Sequence, residues 1–394
     1  MSFSAVIVSG ARTPIGKFLG GLSSLKAPEL GAIAIAEAMK RAQLGAGDPE
    51  EVIMGHVVQG GAGQAPARQA QLAAGIDPAI GALTINKVCG SGLKAVMLAA
   101  QAIRAGDSKI VVAGGMESMS NVPHYLYTGR SGVKLGDATL VDGVIKDGLW
   151  CSFNNSHMGS LAEFTAETSK ISREAQDQFS VESHQKAAAA TKNGKFRNEI
   201  VTVEIPQRKG DPIRVSDDEP IRADTTLESL GKLAPAFQKV GTVTAGNAPG
   251  LNDGGAALVV MEESEAKRRG LKPLARITGY ATGGGEPKRL FYAPVVAVKK
   301  LLALTGKPLD SYDLIEANEA FAVQALADGQ ELGWDWKRVN VNGGAVALGH
   351  PIGASGARVL VTLLYALEDR GGKSGIATLC LGGGNAVALA VERV

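Results

Sequence analysis

Short uninterrupted apolar runs alternate with stretches of helical periodicity along most of this chain. Ala5-Val6-Ile7-Val8, Val52-Ile53-Met54 and 256–261 are continuous apolar runs, as is 109–113 after its leading Lys109, the pattern of strands buried on both faces. Between them, Ala27-Pro28 opens a helix running from about 28 to about 43, proline being well placed in a first helical turn. A second helix is expected over 67–74. Leu93, Val96, Met97, Ala100 and Ile103 then recur at the spacing of one helix face. Such alternation predicts a mostly parallel sheet covered by helices on both faces.

The pattern then repeats. From about 271 come a strand (Ala275-Arg276-Ile277-Thr278), a glycine loop, and a helix opened by Ala293-Pro294 and running to about 305. A strand within 310–316 leads to Asn318, and Val359, Leu360, Leu363, Leu364 and Leu367 mark an amphipathic helix. The strand at 376–381 ends in Gly382-Gly383-Gly384, as the strand at 109–113 ends in Gly114-Gly115. A duplicated α/β unit is the simplest account, with two sheets packed through a shared helical layer. The uncharged stretch 374–391 approaches membrane-spanning length, but its glycines and Asn385 divide it into two buried strands about a turn. Between 121 and 250 the texture changes to charged loop material such as Arg208-Lys209-Gly210-Asp211-Pro212, with a helix over 172–192 capped by Ser172. This reads as an inserted loop domain. The expected division is 1–120 with 251–270, then 121–250, then 271–394.

At 394 residues the chain has ample core for two or three domains. Its net charge of +2, without a polybasic tract, argues against nucleic-acid or membrane partners. Cys89, Cys151 and Cys380 are too few and scattered for a disulfide framework or a metal site, and suit a reducing cytosol. Met1-Ser2-Phe3-Ser4-Ala5-Val6 has neither a basic n-region nor a signal-like apolar run. A soluble, cytoplasmic protein is expected.

Candidate chemistry centres on Cys89. The motif Cys89-Gly90-Ser91-Gly92 stands between a strand end at 82–85 and the helix that follows. A cysteine on a turn before a helix faces unpaired N–H groups and the positive end of the dipole, which lowers a thiol pKa and favours the thiolate. A small buried hydrophobe is the ordinary alternative. Three later stretches also stand out. Asn318-Glu319-Ala320-Phe321 follows a strand. His350 precedes a proline that pushes it towards extended backbone. Cys380 ends a strand beside three glycines that permit close approach. Taken singly, His350 is also explained as a satisfied loop histidine, Asn318 as a turn cap, and Cys380 as core packing.

Taken together, Cys89-Gly90-Ser91, Asn318-Glu319-Ala320-Phe321, Gly349-His350-Pro351 and Cys380-Leu381-Gly382 match, in order, the signature blocks of the thiolase family. The chain resembles that family from Ala5 to Val391, including His157-Met158-Gly159 and Gly246-Asn247-Ala248, and looks most like its bacterial biosynthetic members. The resemblance implies a five-layer α-β-α-β-α sandwich with an inserted loop domain. It implies acetyl-CoA C-acetyltransferase activity, a reversible Claisen condensation of two acetyl-CoA molecules to acetoacetyl-CoA and CoA. Cys89 would carry the acyl group, His350 would take its proton, and Cys380 would deprotonate the second acetyl-CoA. His350 and a water on Asn318 would hold the enolate oxygen, while the N–H groups of Cys89 and Gly382 would form a second oxyanion hole. CoA would lie against the loop domain. There His157 and Met158 would sit near the thioester, Arg222 and Ser229 towards the nucleotide, and Leu149, Phe237 and Phe321 as apolar walls. Ala245 and Pro249 would complete the CoA site. No metal is implied, and no cofactor beyond coenzyme A as substrate and product. A homotetramer and a role in fatty acid metabolism belong to the same implication.

Two departures bear on substrate. Pro249 stands where relatives usually carry serine, and Phe291-Tyr292 adds bulk beside the acyl pocket. An alternative within the same chemistry is a 3-ketoacyl-CoA thiolase acting on longer chains. A decarboxylating condensing enzyme would not need the Cys380 base, and a non-catalytic acyl-CoA carrier would not need all four reactive positions.

Overall fold

The computed structural model describes residues 4–394; Met1 to Phe3, part of the N-terminal signal reading, lie outside the described residues. The first half is built from β1 (Ala5–Arg12), α1 (Ala27–Arg41), β2 (Glu51–Gly55), α2 (Pro66–Ala73), β3 (Gly81–Ile85), α3 (Ser91–Ala105) and β4 (Ile110–Ser118). Residues 121–250 add no strand to the main sheet; their longest elements are α4 (Met158–Ser169) and α5 (Arg173–Lys192). Ser172 caps α5 through its hydroxyl, which accepts the Ala175 N–H. The chain returns through β5 (Asn252–Glu262). The second half comprises β6 (Ala275–Gly284), α6 (Ala293–Thr305), β7 (Leu314–Ala317), α7 (Ala322–Leu332), α8 (Ile352–Arg370), β8 (Ser374–Leu381) and β9 (Asn385–Glu392).

The main strands form one continuous order, β7-β8-β9-β6-β1-β5-β4-β2-β3. The halves meet at a narrow seam, where β1 and β6 share only the pairs Val6–Arg276 and Ile7–Ala275. On either side the same arrangement recurs. β6, β9, β8 and β7 take the places of β1, β5, β4 and β2, and a bridge from Ile315 to Val339 stands where β3 pairs with β2. The duplication expected from the pattern is present in the strand order itself.

The expectation of a mostly parallel sheet does not hold. β2 runs parallel to β3 and β4, and β7 to β8, but β1–β5, β5–β4, β6–β9 and β8–β9 are antiparallel. Continuous apolar runs report burial on both faces, not direction, and each half closes with an antiparallel strand that returns to its centre. β4 also extends past Gly114-Gly115 to Ser118, because β5 pairs with it along that whole length.

Helices α3 and α8 lie between the two halves and pack on strands of both. Leu93, Val96 and Ala100 of α3 share one core with Leu360, Leu363 and Leu364 of α8, Val111 and Leu258 of the first half, and Ile376 and Leu389 of the second. Outside, α1 covers the first half through Ile35 and Ala38 against Val52, Met54, Val112 and Val259, while α6 covers the second. The result is five layers, α-β-α-β-α. The expected amphipathic α8 is instead buried on nearly all sides, since a sheet covers each face. Ser355, Arg358 and Thr362 are buried too, with Arg358 beside Glu316 and the Thr362 hydroxyl donating to Glu199.

Candidate active site

Cys89 sits on a turn just before α3 that the sequence of its neighbours forces into an unusual shape. Val88 has a φ of +47°, a left-handed conformation that a β-branched residue adopts only when its surroundings over-determine it. Ser91 supplies that constraint. Its buried hydroxyl accepts the Lys87 N–H at 2.8 Å and donates to the Val88 carbonyl at 2.6 Å. The turn aims Cys89 towards the second half, where the N–H groups of Gly382 and of Cys89 itself point at its sulfur. Gly90 must lack a side chain here, since a Cβ would stand 2.7 Å from Leu381.

The second half supplies the other groups. Gly349, at φ +101° and packed on the Asn252 amide, turns the chain so that the His350 N–H donates to Asn252 Oδ1 at 2.9 Å. The Ser355 hydroxyl donates to the Pro351 carbonyl at 2.9 Å, so it accepts from His350 Nδ1 at 2.6 Å. That fixes the neutral tautomer with Nδ1–H, leaving the Nε2 lone pair available. Asn318 Nδ2 lies 3.5 Å from that nitrogen, and Asn318 Oδ1 is buried without a protein partner. Burial and the nearby Arg358 charge push the imidazole pKa down to about 3.

Cys89, His350, Cys380 and Gly382 line a single cavity of about 370 Å³. Asn318 stands behind His350, fully buried and outside the lining. Burial pushes the Cys89 thiol up to about 12 and outweighs the two N–H groups aimed at it. Cys89 retains some accessible surface on the cavity side, but its sulfur is otherwise enclosed by protein. The sequence-level expectation of a thiolate at a helix start is therefore reversed at rest: desolvation beats the dipole. Cys380 is also raised well above the ordinary thiol value, by burial and by the neighbouring Cys89.

Leu149, His157, Met158, Phe237, Ala245, Pro249 and Phe321 all line the same cavity. His157 stacks on Phe237 at 4.9 Å between centroids, and its Nδ1 accepts the Gly159 N–H at 3.0 Å, capping α4. Arg222 and Ser229 do not line it. The Arg222 N–H donates to His184 Nδ1 at 3.1 Å, and exposed Ser229 exchanges hydrogen bonds with Thr226. Phe291 lines the cavity, edge-on to Phe321 at 5.3 Å, whereas Tyr292 points away to Thr168 and Ser169. Cys151 is buried, its thiol directed at Asn154 Oδ1 at 3.3 Å.

The chain matches a family model described as thiolase, N-terminal domain, over residues 5–264, and one described as thiolase, C-terminal domain, over 271–393. The chain belongs to the thiolase family. It is 57% identical over 388 residues to an acetyl-CoA acetyltransferase of Cupriavidus necator, covering 98% of this chain and 99% of the relative. It is 53% identical over 392 residues to the Escherichia coli protein of the same name, covering 99% of both. A crystal structure of the Bacillus anthracis acetyl-CoA acetyltransferase superposes with a TM-score of 0.98 at 44% identity, covering 100% of this chain and 99% of that one.

Several residues that shape this thiolase site gave no sequence signal of their own. Ser355 and Asn252 orient His350. Glu117 joins the halves, its carboxylate accepting the N–H groups of Val57, Val58 and Gly353. Glu319 accepts from Ser183, Asn340 and the Val346 N–H, fixing the loop behind Asn318. Glu319 stands inside a signature block and Ser355 close to another, whereas Asn252 and Glu117 lie near none. The hydrogen-bond pattern predicts that the His350 ring keeps its neutral, Nδ1-protonated form from about pH 8 to about pH 5, where an unperturbed histidine becomes charged. Nitrogen-15 NMR of labelled imidazoles measures this, and a His350 signal titrating near the unperturbed value would contradict it.

Proposed function

We propose that this chain is an acetyl-CoA C-acetyltransferase that condenses two acetyl-CoA molecules reversibly to acetoacetyl-CoA and CoA. The observation that carries the reading is that Cys89, from the first half, shares one small cavity with His350 and Cys380 from the second. The names of the relatives support the acetyl substrate.

At rest both thiols and the imidazole are neutral, so charge arises only as bonds change. The Cys89 proton moves to His350 Nε2 as the sulfur attacks the thioester carbonyl, and the N–H groups of Cys89 and Gly382 face the oxygen that gains charge. The bond to the CoA sulfur breaks. The departing thiolate takes the Cys380 proton, leaving acetyl-Cys89, an imidazolium and a Cys380 thiolate. A second acetyl-CoA then loses a methyl proton to Cys380. Its enolate oxygen is held by His350 and by a water on the Asn318 side chain. The enolate carbon attacks acetyl-Cys89, and the released sulfur recovers its proton from His350. Every proton is returned, and no metal or other cofactor enters the scheme.

His157, Met158, Phe237, Ala245 and Pro249 suit the pantetheine arm, and the basic Arg222 with Ser229 suits the nucleotide end. The segment 121–250 is then the CoA-binding part, between a nucleophile half (1–120 with 251–270) and an acid–base half (271–394). The reading carries with it a cytoplasmic homotetramer. The uncovered edge strand β3, with Leu83 exposed, supports association between copies.

Mass analysis after mixing with acetyl-CoA tests the reading: an acetyl group on Cys89 is expected, and its absence refutes it. In Asn318→Ala that group still forms, but turnover falls about 10²–10³-fold, the usual cost of one lost oxyanion donor; unchanged turnover would remove Asn318 from the scheme. Phe291 closes the apolar wall, so Phe291→Ala is expected to raise thiolysis of longer 3-ketoacyl-CoAs relative to acetoacetyl-CoA about tenfold or more. An unchanged chain-length profile would show that Phe291 does not set the limit.

A further inference from the structure

Asp328 takes no part in the scheme above, yet it is a fully buried carboxyl on α7, within the layer that backs Cys380. Val323 and Ala327 of the same helix pack in one cluster with Cys380, Phe291 and Phe321. Asp328 Oδ2 accepts a hydrogen bond from Gln324 Nε2 at 2.6 Å, while its Oδ1 is buried with no partner. One turn earlier, Gln324 Oε1 accepts the Ala320 N–H at 2.9 Å. Ala320 lines the cavity two residues beyond Asn318. Rotating the Gln324 amide would set its NH₂ against the Ala320 N–H, so the Asp328 acceptor decides which way Gln324 points. Asp328 is thus tied through two hydrogen bonds to the backbone of the Asn318–Phe321 loop.

We propose that Asp328 is a positioning residue for the condensation step: it holds that loop through Gln324 and, as a neutral acid, lets negative charge develop on Cys380. This rests on Cys380 being the base of the proposed reaction. An isolated buried carboxylate without a cation is very costly. No Lys or Arg lines the cavity among the described residues. The other titratable group acting on Asp328 is Glu331, also an acid, and those acting on Cys380 are the acids Cys89 and Asp328 itself. His350, His157 and Asp142 complete the titratable lining, and burial disfavours the charged form of both histidines, aided at His350 by Arg358. Burial raises the Asp328 carboxyl well above its ordinary value, which agrees with the geometry. The proton then belongs on Oδ1, the oxygen that accepts nothing. When rising pH removes it, a negative charge appears behind Cys380 and opposes the thiolate that the condensation half-reaction requires.

Two variants separate the parts of the proposal. Asp328→Asn keeps an acceptor for Gln324 and cannot ionise. It is expected to show wild-type kcat at neutral pH and an alkaline limb of the kcat profile moved to higher pH. Asp328→Val removes the acceptor and frees Gln324. Its kcat is expected to fall about 10–100-fold, the scale of a small misplacement of reacting groups, with KM little changed and acetylation of Cys89 by acetyl-CoA retained. An Asp328→Asn profile superimposed on the wild type, or an Asp328→Val enzyme with wild-type kcat, overturns the proposal. A wild-type enzyme that does not acetylate Cys89 is a different failure, of the functional reading beneath it.

Discussion

The constraint on which this molecule depends is the close contact of α3 and α8 at its centre. A Cβ on Gly356 would stand 2.3 Å from the Leu93 backbone nitrogen, and one on Gly92 would stand 2.6 Å from the Ala357 backbone nitrogen. No side chain fits at either place, so the two helices approach at backbone distance. Each begins at the site: α3 directly after Cys89, α8 directly after His350 and Pro351. Pressing the helix starts together therefore brings Cys89 and His350, far apart in the chain, into one cavity. Glu117 strengthens that junction, since its carboxylate ties the loop after β2 to the first turn of α8.

The electrostatics follow from the same burial. A site wedged between two sheets is poorly hydrated, and it keeps Cys89, Cys380 and His350 uncharged. Charge is tolerated nearby where it is matched. Arg12 is clamped by Glu199 and by both oxygens of Asp218, and Arg358 faces Glu316 at 3.6 Å. Buried pairs of this kind add little net stability, because the cost of desolvating both ions offsets their attraction. Around Cys89, Cys380 and His350 there is no matching charge, so the proposed reaction moves protons rather than relying on preformed ions.

Much of this was legible in the residues. The duplicated run of strand, helix and glycine turn reflects a real repeat of strand order, and Ala293-Pro294 and Ser172 mark helix starts where the structure has them. Cys89, His350, Cys380 and Gly382 meet in one cavity. Strand direction was not legible, because an apolar run buried on both faces looks the same either way round. The thiol protonation state was misjudged for a related reason. The turn before α3 is a local feature, whereas the burial that overrides it comes from segments distant in sequence, with Val57, Val58 and Ile352 packed about Cys89. Asn252 and Ser355 were missed because a residue that orients a catalytic group needs no motif, only a hydrogen bond at the right place. Pro249 and Phe291 line the cavity as their unusual identities suggested, but Tyr292 turns outward to α4.

The proposed reaction requires two sulfurs from opposite halves to reach one small acyl group. Treatment with dichloroacetone, a short bis-electrophile, followed by peptide mapping, tests this most directly. A single acetone bridge joining Cys89 to Cys380 is the expected product, with Cys151 unmodified. Separate alkylation of the two, or a bridge from either to Cys151, would contradict the shared site.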